Sequence, residues 1–288
     1  MSEGALMHRR SFLQRFMRRT FANPISAFAL IVVVVLAIVA VIGPAIAPYD
    51  PLRPDFRRIA EPPSAQHWLG TDQNGRDILS RVIHGTRISV SIGVAAVLLG
   101  LAAGTTIGLV AGYFGGRIDT VLMRAVDVML AFPGILLAIL IISVLGSSVF
   151  NIIIALAVFS VPTFARVSRS SALTLRTLDY VQAARAVGGS PFRVLVRHVL
   201  PNAWAPVVVY GTLRCATAIL GGAALSFLGL GISPPTPEWG LMVSQGREIM
   251  RSAPHVMLFP GLAIFVTVLA VNLLGDVLRD VMDPKTRT

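Results

Sequence analysis

Two ionisable side chains lie within the apolar segments of this chain. Asp127 is only a few residues from the end of one segment, and Arg214 lies inside another. A charge at bilayer depth costs at least about 2.5–3.5 kcal/mol on insertion scales, so each side chain should face a partner or water. They form either a buried Asp127–Arg214 pair or part of a solute pathway, unless they reach the membrane surface. Pro133 breaks helical hydrogen bonding nearby, as a flexible point of the pathway or as a static kink.

A polar, arginine-rich loop, residues 166–202, separates two apolar blocks and must act outside the lipid. Asp179 is the expected N-cap of a short helix that ends at Gly188. Pro191 begins a second short helix, which ends or kinks at Pro201. The loop is either an ordinary basic linker or a knob whose small residues allow close approach to another protein. Its candidate contact residues are Gln182, Ala183, Ala184, Arg185, Gly188, Leu200 and Pro201.

The sequence lacks the residues of an ATPase or a hydrolase. Its one lysine, Lys285, follows a proline near the C-terminus, so no Gly-Lys-Ser/Thr phosphate loop exists. Its one cysteine, Cys215, allows no internal disulfide, and its five histidines do not have zinc-ligand spacing. We therefore predict a chain that is not an enzyme and binds no metal or cofactor, and any ATP-driven work must come from a partner.

The composition is that of an all-α membrane protein. Hydrophobic residues make up 55% of the chain and charged residues 14%, with a mean hydropathy of +0.75. Five arginines precede the first apolar run and should hold the N-terminus in the cytoplasm. The basic balance follows this topology, and the arginines are too dispersed to favour nucleic-acid binding. Uncharged runs of sufficient length predict six spans, near 26–47, 88–112, 122–145, 149–165, 204–228 and 256–277.

Six spans place both termini in the cytoplasm and divide the chain unevenly. Residues 1–87 are predicted to form a basic tail, the first span and an external loop, in which a helix from Asp77 to Ile83 lies on the membrane surface. Residues 88–278 form a five-helix core that contains the loop 166–202, and residues 279–288 form a cytoplasmic tail. Glycines recur every fourth residue from Gly100 to Gly112 and should allow close helix packing.

Several short motifs stand out along the chain. They are Leu-Gly-Thr-Asp-Gln at 69–73, Gly-Arg-Asp at 75–77, Ala-Phe-Pro at 131–133, Leu-Ser-Phe-Leu-Gly-Leu-Gly at 225–231 and Pro-Glu-Trp-Gly at 237–240. The loop has Ala-Ala-x3-Gly-x11-Leu-Pro spacing from Ala183 to Pro201. Together these motifs resemble one family, the C-type permease subunits of dipeptide, oligopeptide and nickel ABC importers, and the loop is similar to that family's EAA loop. The resemblance covers approximately residues 20–280.

The resemblance implies the type I ABC importer permease fold in a bacterial or archaeal cytoplasmic membrane. It also implies a homologous second permease, two ATPase subunits that carry ATP and Mg, and an external solute-binding protein. The loop would then be the coupling segment through which the ATPases move the spans. Two departures stand out: Gln182 replaces the family's glutamate, and Gly222 stands where members often carry an acidic residue.

The expected function is therefore an ATP-driven importer permease for di- or oligopeptides. Nickel import is the alternative within the family. An ATP-independent carrier or channel is the alternative from another class, and it would normally need an acidic site deep in the membrane, for which only Asp127 is available.

Overall fold

The computed structural model describes residues 12–282 and is helical, with one isolated bridge between Thr71 and Asp77 in that range. Residues 1–11 and 283–288, which include Lys285 and the first two arginines of the basic tail, lie outside the described residues. The helices are α1 (Phe12–Ala22), α2 (Pro24–Ile46), α3 (Ile78–Phe114), α4 (Gly116–Leu130), α5 (Gly134–Leu145), α6 (Val149–Leu175), α7 (Asp179–Ala186), α8 (Pro191–Val194), α9 (Leu200–Phe227), α10 (Trp239–Arg247) and α11 (His255–Met282).

The described residues contain five helices long and apolar enough to span a membrane, and a sixth if a bent pair counts as one span. That pair is α4 and α5, which meet at an angle of 88°. The span predicted near 122–145 is therefore a broken one, and the break lies at Pro133, where we expected helical hydrogen bonding to fail. Pro133 stands at the start of α5 and has no N–H to donate, so the helix stops and restarts there. By contrast, α6 continues through Pro162 without interruption.

Two short helices that the sequence predicts are parts of longer helices in the structure. The expected separate helix from Asp77 to Ile83 is instead the first turns of α3, whose N-cap is Asp77. The second helix of the loop, α8, continues through a π-helical turn, Leu195–Val199, directly into α9. Helix α3 also crosses residue 87, so the predicted division there would fall within a helix.

Helices α3 and α6 form the most extensive helix–helix contact within residues 12–282. A Cβ atom on Gly104 would lie 2.5 Å from the Val161 carbonyl oxygen, and one on Gly112 would lie 2.6 Å from that of Arg169. Backbones can approach this closely only where neither helix has a side chain between them. The stripe of glycines in α3 is thus a packing surface against α6, as predicted.

The N-terminal end of α3 is fixed by buried polar groups. Arg81 is fully buried and donates to the carbonyl oxygens of Pro51 and Pro235 at 2.9 and 3.3 Å. Asp77 accepts from the Ser80 backbone N–H and contacts His67 Nδ1 at 2.9 Å. These bonds join the segment before α3 and the loop before α10 to one helix end.

Glu238 belongs to the same buried region and is the N-cap of α10. Its carboxylate accepts from the backbone N–H groups of Gly240 and Leu241 and from the Ser89 hydroxyl. Burial nevertheless raises the pKa of Glu238 above its usual value, because desolvation outweighs these bonds.

Candidate functional site

Helix α7 is set by local signals at both ends. Leu178, with extended backbone angles, is the N-cap, so Asp179 is the first helical residue rather than the cap we predicted. An acidic residue in the first turn stabilises the helix by interacting with the positive end of its dipole. At the other end, Gly189 N–H donates to the Ala184 carbonyl and Gly188 N–H to that of Arg185. Gly188 has φ +83°, the left-handed conformation in which glycine ends helices most readily.

One face of α7 packs on the helices of the core. Val181 is fully buried, and Ala184 packs beside it. Leu200, at the start of α9, packs on the same cluster. Two of the predicted contact residues, Ala184 and Leu200, therefore pack inward instead of facing a partner. The buried members of this cluster are Leu109, Tyr113, Ala172, Val181, Val194, Leu195, Val199 and Ala203.

Two polar side chains of α7 contact other residues of this chain rather than pointing freely outward. The Arg185 guanidinium lies 4.5 Å from the centre of the Tyr113 ring, and its Nε donates to the Tyr113 hydroxyl at 3.2 Å. Gln182 Nε2 donates to the Arg176 carbonyl at 3.0 Å, while Arg176 donates to the Gly112 carbonyl. A glutamate at 182 would have no proton to donate to that carbonyl, so the amide fits this contact better than the family's carboxylate.

An exposed apolar stripe runs along α7 beside its buried side. Tyr180, Ala183 and Val187 are spaced i, i+3 and i+7, so they share one side of the helix, and Val187 is 86% exposed. We call these three residues the outer stripe. Such spacing is typical of a helix that binds in a groove of another protein. Neither Tyr180 nor Val187 was among the candidate contact residues, although large apolar residues in a polar loop were a usable signal.

Pro201 is exposed and shapes the start of α9. It lacks the N–H that would bond to the Arg197 carbonyl, and its ring clashes with that group in a regular helix. The chain forms the π-helical turn, Leu195–Val199, just before it. A π-bulge of this kind keeps the helix continuous through a proline. Pro201 is thus neither a helix end nor the end of the loop.

Of the alternatives that the sequence left open for Asp127 and Arg214, the buried pair does not form. Asp127 pairs with Arg166 on α6, with Nη2 and Oδ1 2.9 Å apart. Arg214 instead lies over the rings of Phe159 and Tyr210, 4.9 and 5.9 Å from their centres. Asp127 and Arg214 do not meet because of how their helices are rotated about their axes. Asp127 lies on the face of α4 that contacts α6, whereas Arg214 lies on the face of α9 that contacts aromatic residues.

A second ion pair holds α4 to α6. Arg169 makes two 2.6 Å bonds to the carboxylate of Asp119. Bidentate arginine–carboxylate geometry is stronger than a single contact. The Arg166–Asp127 pair is weaker, because its side chains are 59% and 52% exposed. Neither ion pair was predicted from the sequence, because neither Arg166 nor Arg169 was assigned an acidic partner.

Pro133 lies at the break between α4 and α5, and Phe159 connects it with Arg214. The Phe159 ring fills the space beside Gly134, where an added Cβ would overlap it. The structure thus brings Arg214 and the helix break into contact with one aromatic ring, whereas Asp127 pairs with Arg166 instead.

The sequence is similar to those of known membrane transport proteins. Residues 104–288 match the family described as binding-protein-dependent transport system inner membrane component, and residues 11–63 match the N-terminal TM domain of oligopeptide transport permease C. The glutathione transport system permease protein GsiD of Pectobacterium atrosepticum is 46% identical over 280 residues, which cover 97% of this chain and 92% of that protein. GsiD of Escherichia coli O157:H7 is 50% identical over 277 residues, covering 96% and 90%.

Solved structures agree on the fold. A chain of the MetNI methionine ABC transporter in an inward-facing conformation matches with a TM-score of 0.58 at 19% identity, covering 70% of this chain and 96% of that one. A chain of an amino acid ABC transporter with histidines matches with a TM-score of 0.51 at 17% identity, covering 69% and 92%.

These findings confirm the helical permease fold and a place in the bacterial inner membrane as a multi-pass protein. Members of the family are transport components without enzymatic activity, and a separate subunit is the ATPase. The chain belongs to the binding-protein-dependent transport system inner membrane components, as the transmembrane permease subunit of an ABC importer.

Proposed function

We propose that this permease forms half of the pathway for a small peptide of the glutathione type. The support is its similarity, over nearly the full length, to relatives named as glutathione transport permeases. Di- and oligopeptides in general are the broader class, because the N-terminal match is to an oligopeptide permease.

The family implies a second permease, ATPases and a binding protein in general terms. For this chain we propose a homologous permease that completes the pathway and two ATPase subunits that bind ATP and Mg. An external binding protein would deliver the peptide. This chain itself would bind no nucleotide and no metal.

The ATPase would dock on α7, and the observation that carries this part is the outer stripe. Tyr180, Ala183 and Val187 are exposed, while Val181 and Ala184 of the same helix pack on a cluster contributed by α3, α6 and the segment from α8 to the start of α9. Because protein interiors are close-packed, a displacement of α7 is passed to those helices as a rigid-body shift.

The cleanest test of docking is the substitution Ala183→Trp. Ala183 is exposed on the outer stripe, so we expect the large side chain to obstruct a docked partner rather than to disturb the packing of this chain. We expect the permease to insert normally but to lose co-purifying ATPase and peptide uptake. Ala184 is less suitable because it packs inward, and Gly188 because any side chain there is strained by its positive φ.

Ala65→Trp is the matched control, since Ala65 is also exposed but lies in the predicted external loop. It should leave co-purification unchanged. Undiminished ATPase binding and uptake in Ala183→Trp would contradict docking on α7. Uptake without ATP would contradict the coupling, and uptake of nickel but not of peptides would contradict the proposed solute.

A further inference from the structure

Arg214 lies at membrane depth. It is near the middle of α9, about 20 Å of helix from either end at 1.5 Å per residue. A charged side chain at this depth normally pairs with a partner or faces a solute pathway. Its position therefore calls for an anion or for water.

The guanidinium of Arg214 has no acidic partner among residues 12–282. Asp127 and Asp119, the acids of α4, are taken by Arg166 and Arg169. The Nε atom of Arg214 is buried and has no hydrogen-bond partner in the described part of the chain. The rings of Phe159 and Tyr210 hold the group in place without neutralising it.

The start of α5 adds a second feature that favours an anion. Gly134, the first residue of this helix, packs against the Phe159 ring, and no described side chain caps the first N–H groups. Helix N-termini carry a partial positive charge, and broken helices at membrane depth point such ends at anionic groups of a solute. An arginine and an uncapped helix start thus contact the same aromatic ring.

We propose that Arg214, Phe159, Tyr210 and the start of α5 form a transient binding site for a carboxylate of the transported peptide. This inference rests on the proposed function, since it assumes a peptide solute. Every free peptide carries a C-terminal carboxylate, and glutathione carries two. A carboxylate would bond to the Arg214 guanidinium, while the aromatic rings retain part of the interaction with the cation. The site would therefore bind weakly enough to release the solute, as conduction requires.

The experiment compares variants in proteoliposomes that hold the complete transporter with both permeases, the ATPases and the binding protein. Arg214→Gln removes the charge and keeps a similar length. It should lower glutathione uptake about tenfold or more, the loss expected for one charge-assisted hydrogen bond. ATP hydrolysis stimulated by the binding protein should stay near the wild-type rate. Arg214→Lys keeps the charge and should retain part of the uptake.

Arg247→Gln is the matched control, because Arg247 also lies over an aromatic ring, that of Phe227, but in α10. It should transport normally. A second measurement needs no variant: the wild-type transporter is given glutathione or its bis-amide, each loaded to saturation on the binding protein. The bis-amide should be taken up about tenfold more slowly, by the same loss of charge-assisted bonding.

Three results would overturn the site. One is equal uptake of glutathione and its bis-amide; another is normal uptake by Arg214→Gln. The third is loss of the second permease from the Arg214→Gln complex, which would assign Arg214 to the subunit interface. Failure of the wild-type transporter to move any peptide would instead refute the proposed function, so the two failures are distinguishable.

Discussion

Arg185 shows how a residue of the coupling loop can act through its own chain. From the sequence it was a candidate contact for the ATPase, but its guanidinium lies on the Tyr113 ring at the C-terminal end of α3. The hydrogen bond from Nε to the Tyr113 hydroxyl fixes its orientation further. The angle of α7 is therefore set by α3, and the surface left for a partner is the outer stripe.

Replacing Tyr113 should weaken the transfer of motion from α7 to the spans. Tyr113→Leu removes both the ring and the hydroxyl under Arg185, with a loss of about 0.5–2 kcal/mol for the cation–π contact. We expect more ATP hydrolysed per peptide transported, while the ATPase still binds. Tyr113→Phe keeps the ring and should lie close to wild type. The ratio of ATP hydrolysed to peptide taken up is the measurement, and a wild-type ratio in Tyr113→Leu would show that this contact does not position α7.

Residue-level predictions held where the cause was local. The end of α7 at Gly188 followed from glycine's tolerance of positive φ, and the break at Pro133 from its missing N–H. Whether Asp127 and Arg214 meet could not be decided from the sequence, because it depends on how α4 and α9 are rotated about their axes. Hydropathy marks the segments that lie in the membrane but does not fix how two helices face each other.

At the scale of helices, the contact between α3 and α6 is the most sensitive to added volume. Gly108→Ala would place a methyl group against the Ala165 carbonyl and should destabilise the protein by about 1–3 kcal/mol, as overpacking does. Gly261→Ala is the control, since Gly261 is also helical but has open space beside it. We expect a lower Tm in detergent for Gly108→Ala only. Equal Tm values for the two variants would show that the helices can separate at no cost.

Helix lengths were harder to predict than helix positions. Hydropathy marks where a chain leaves the lipid, but backbone hydrogen bonding continues until a proline, glycine or cap stops it. The helix predicted from Asp77 to Ile83 is therefore continuous with the second span, and α8 is continuous with the fifth span through a π-helical turn. The stop between α4 and α5 came from Pro133, inside the segment that hydropathy marked as one span.

For the whole molecule, α3 connects the two regions that a partner would contact. Its N-terminal end is tied by Arg81 and Asp77 to the predicted external loop, and its C-terminal end supports α7 through Tyr113. With 37 residues at 1.5 Å each, the helix is about 55 Å long. One rigid element therefore joins the side where a binding protein would dock to the side where an ATPase would dock.

The orientation of this element in the membrane is testable with an impermeant thiol reagent. The background carries Cys215→Ser, because Cys215 is the one native cysteine. Ser80 and Glu238 lie in the predicted external loops but are buried, so a cysteine at either position would not be labelled from either side, and exposed positions are needed. Trp68 is 72% exposed and Val187 86% exposed.

In intact cells expressing the permease without its ATPases, Trp68→Cys should be labelled and Val187→Cys should not. Permeabilised cells should label both, which shows that position 187 is reactive and only sheltered by the membrane. The physical reason is the basic start of the chain, since arginines before the first span hold that end in the cytoplasm and each later crossing alternates. Labelling of position 187 in intact cells, or of position 68 only after permeabilisation, would invert the molecule. It would also place α7 on the side where no ATP is available, and docking of an ATPase on the outer stripe would then be impossible.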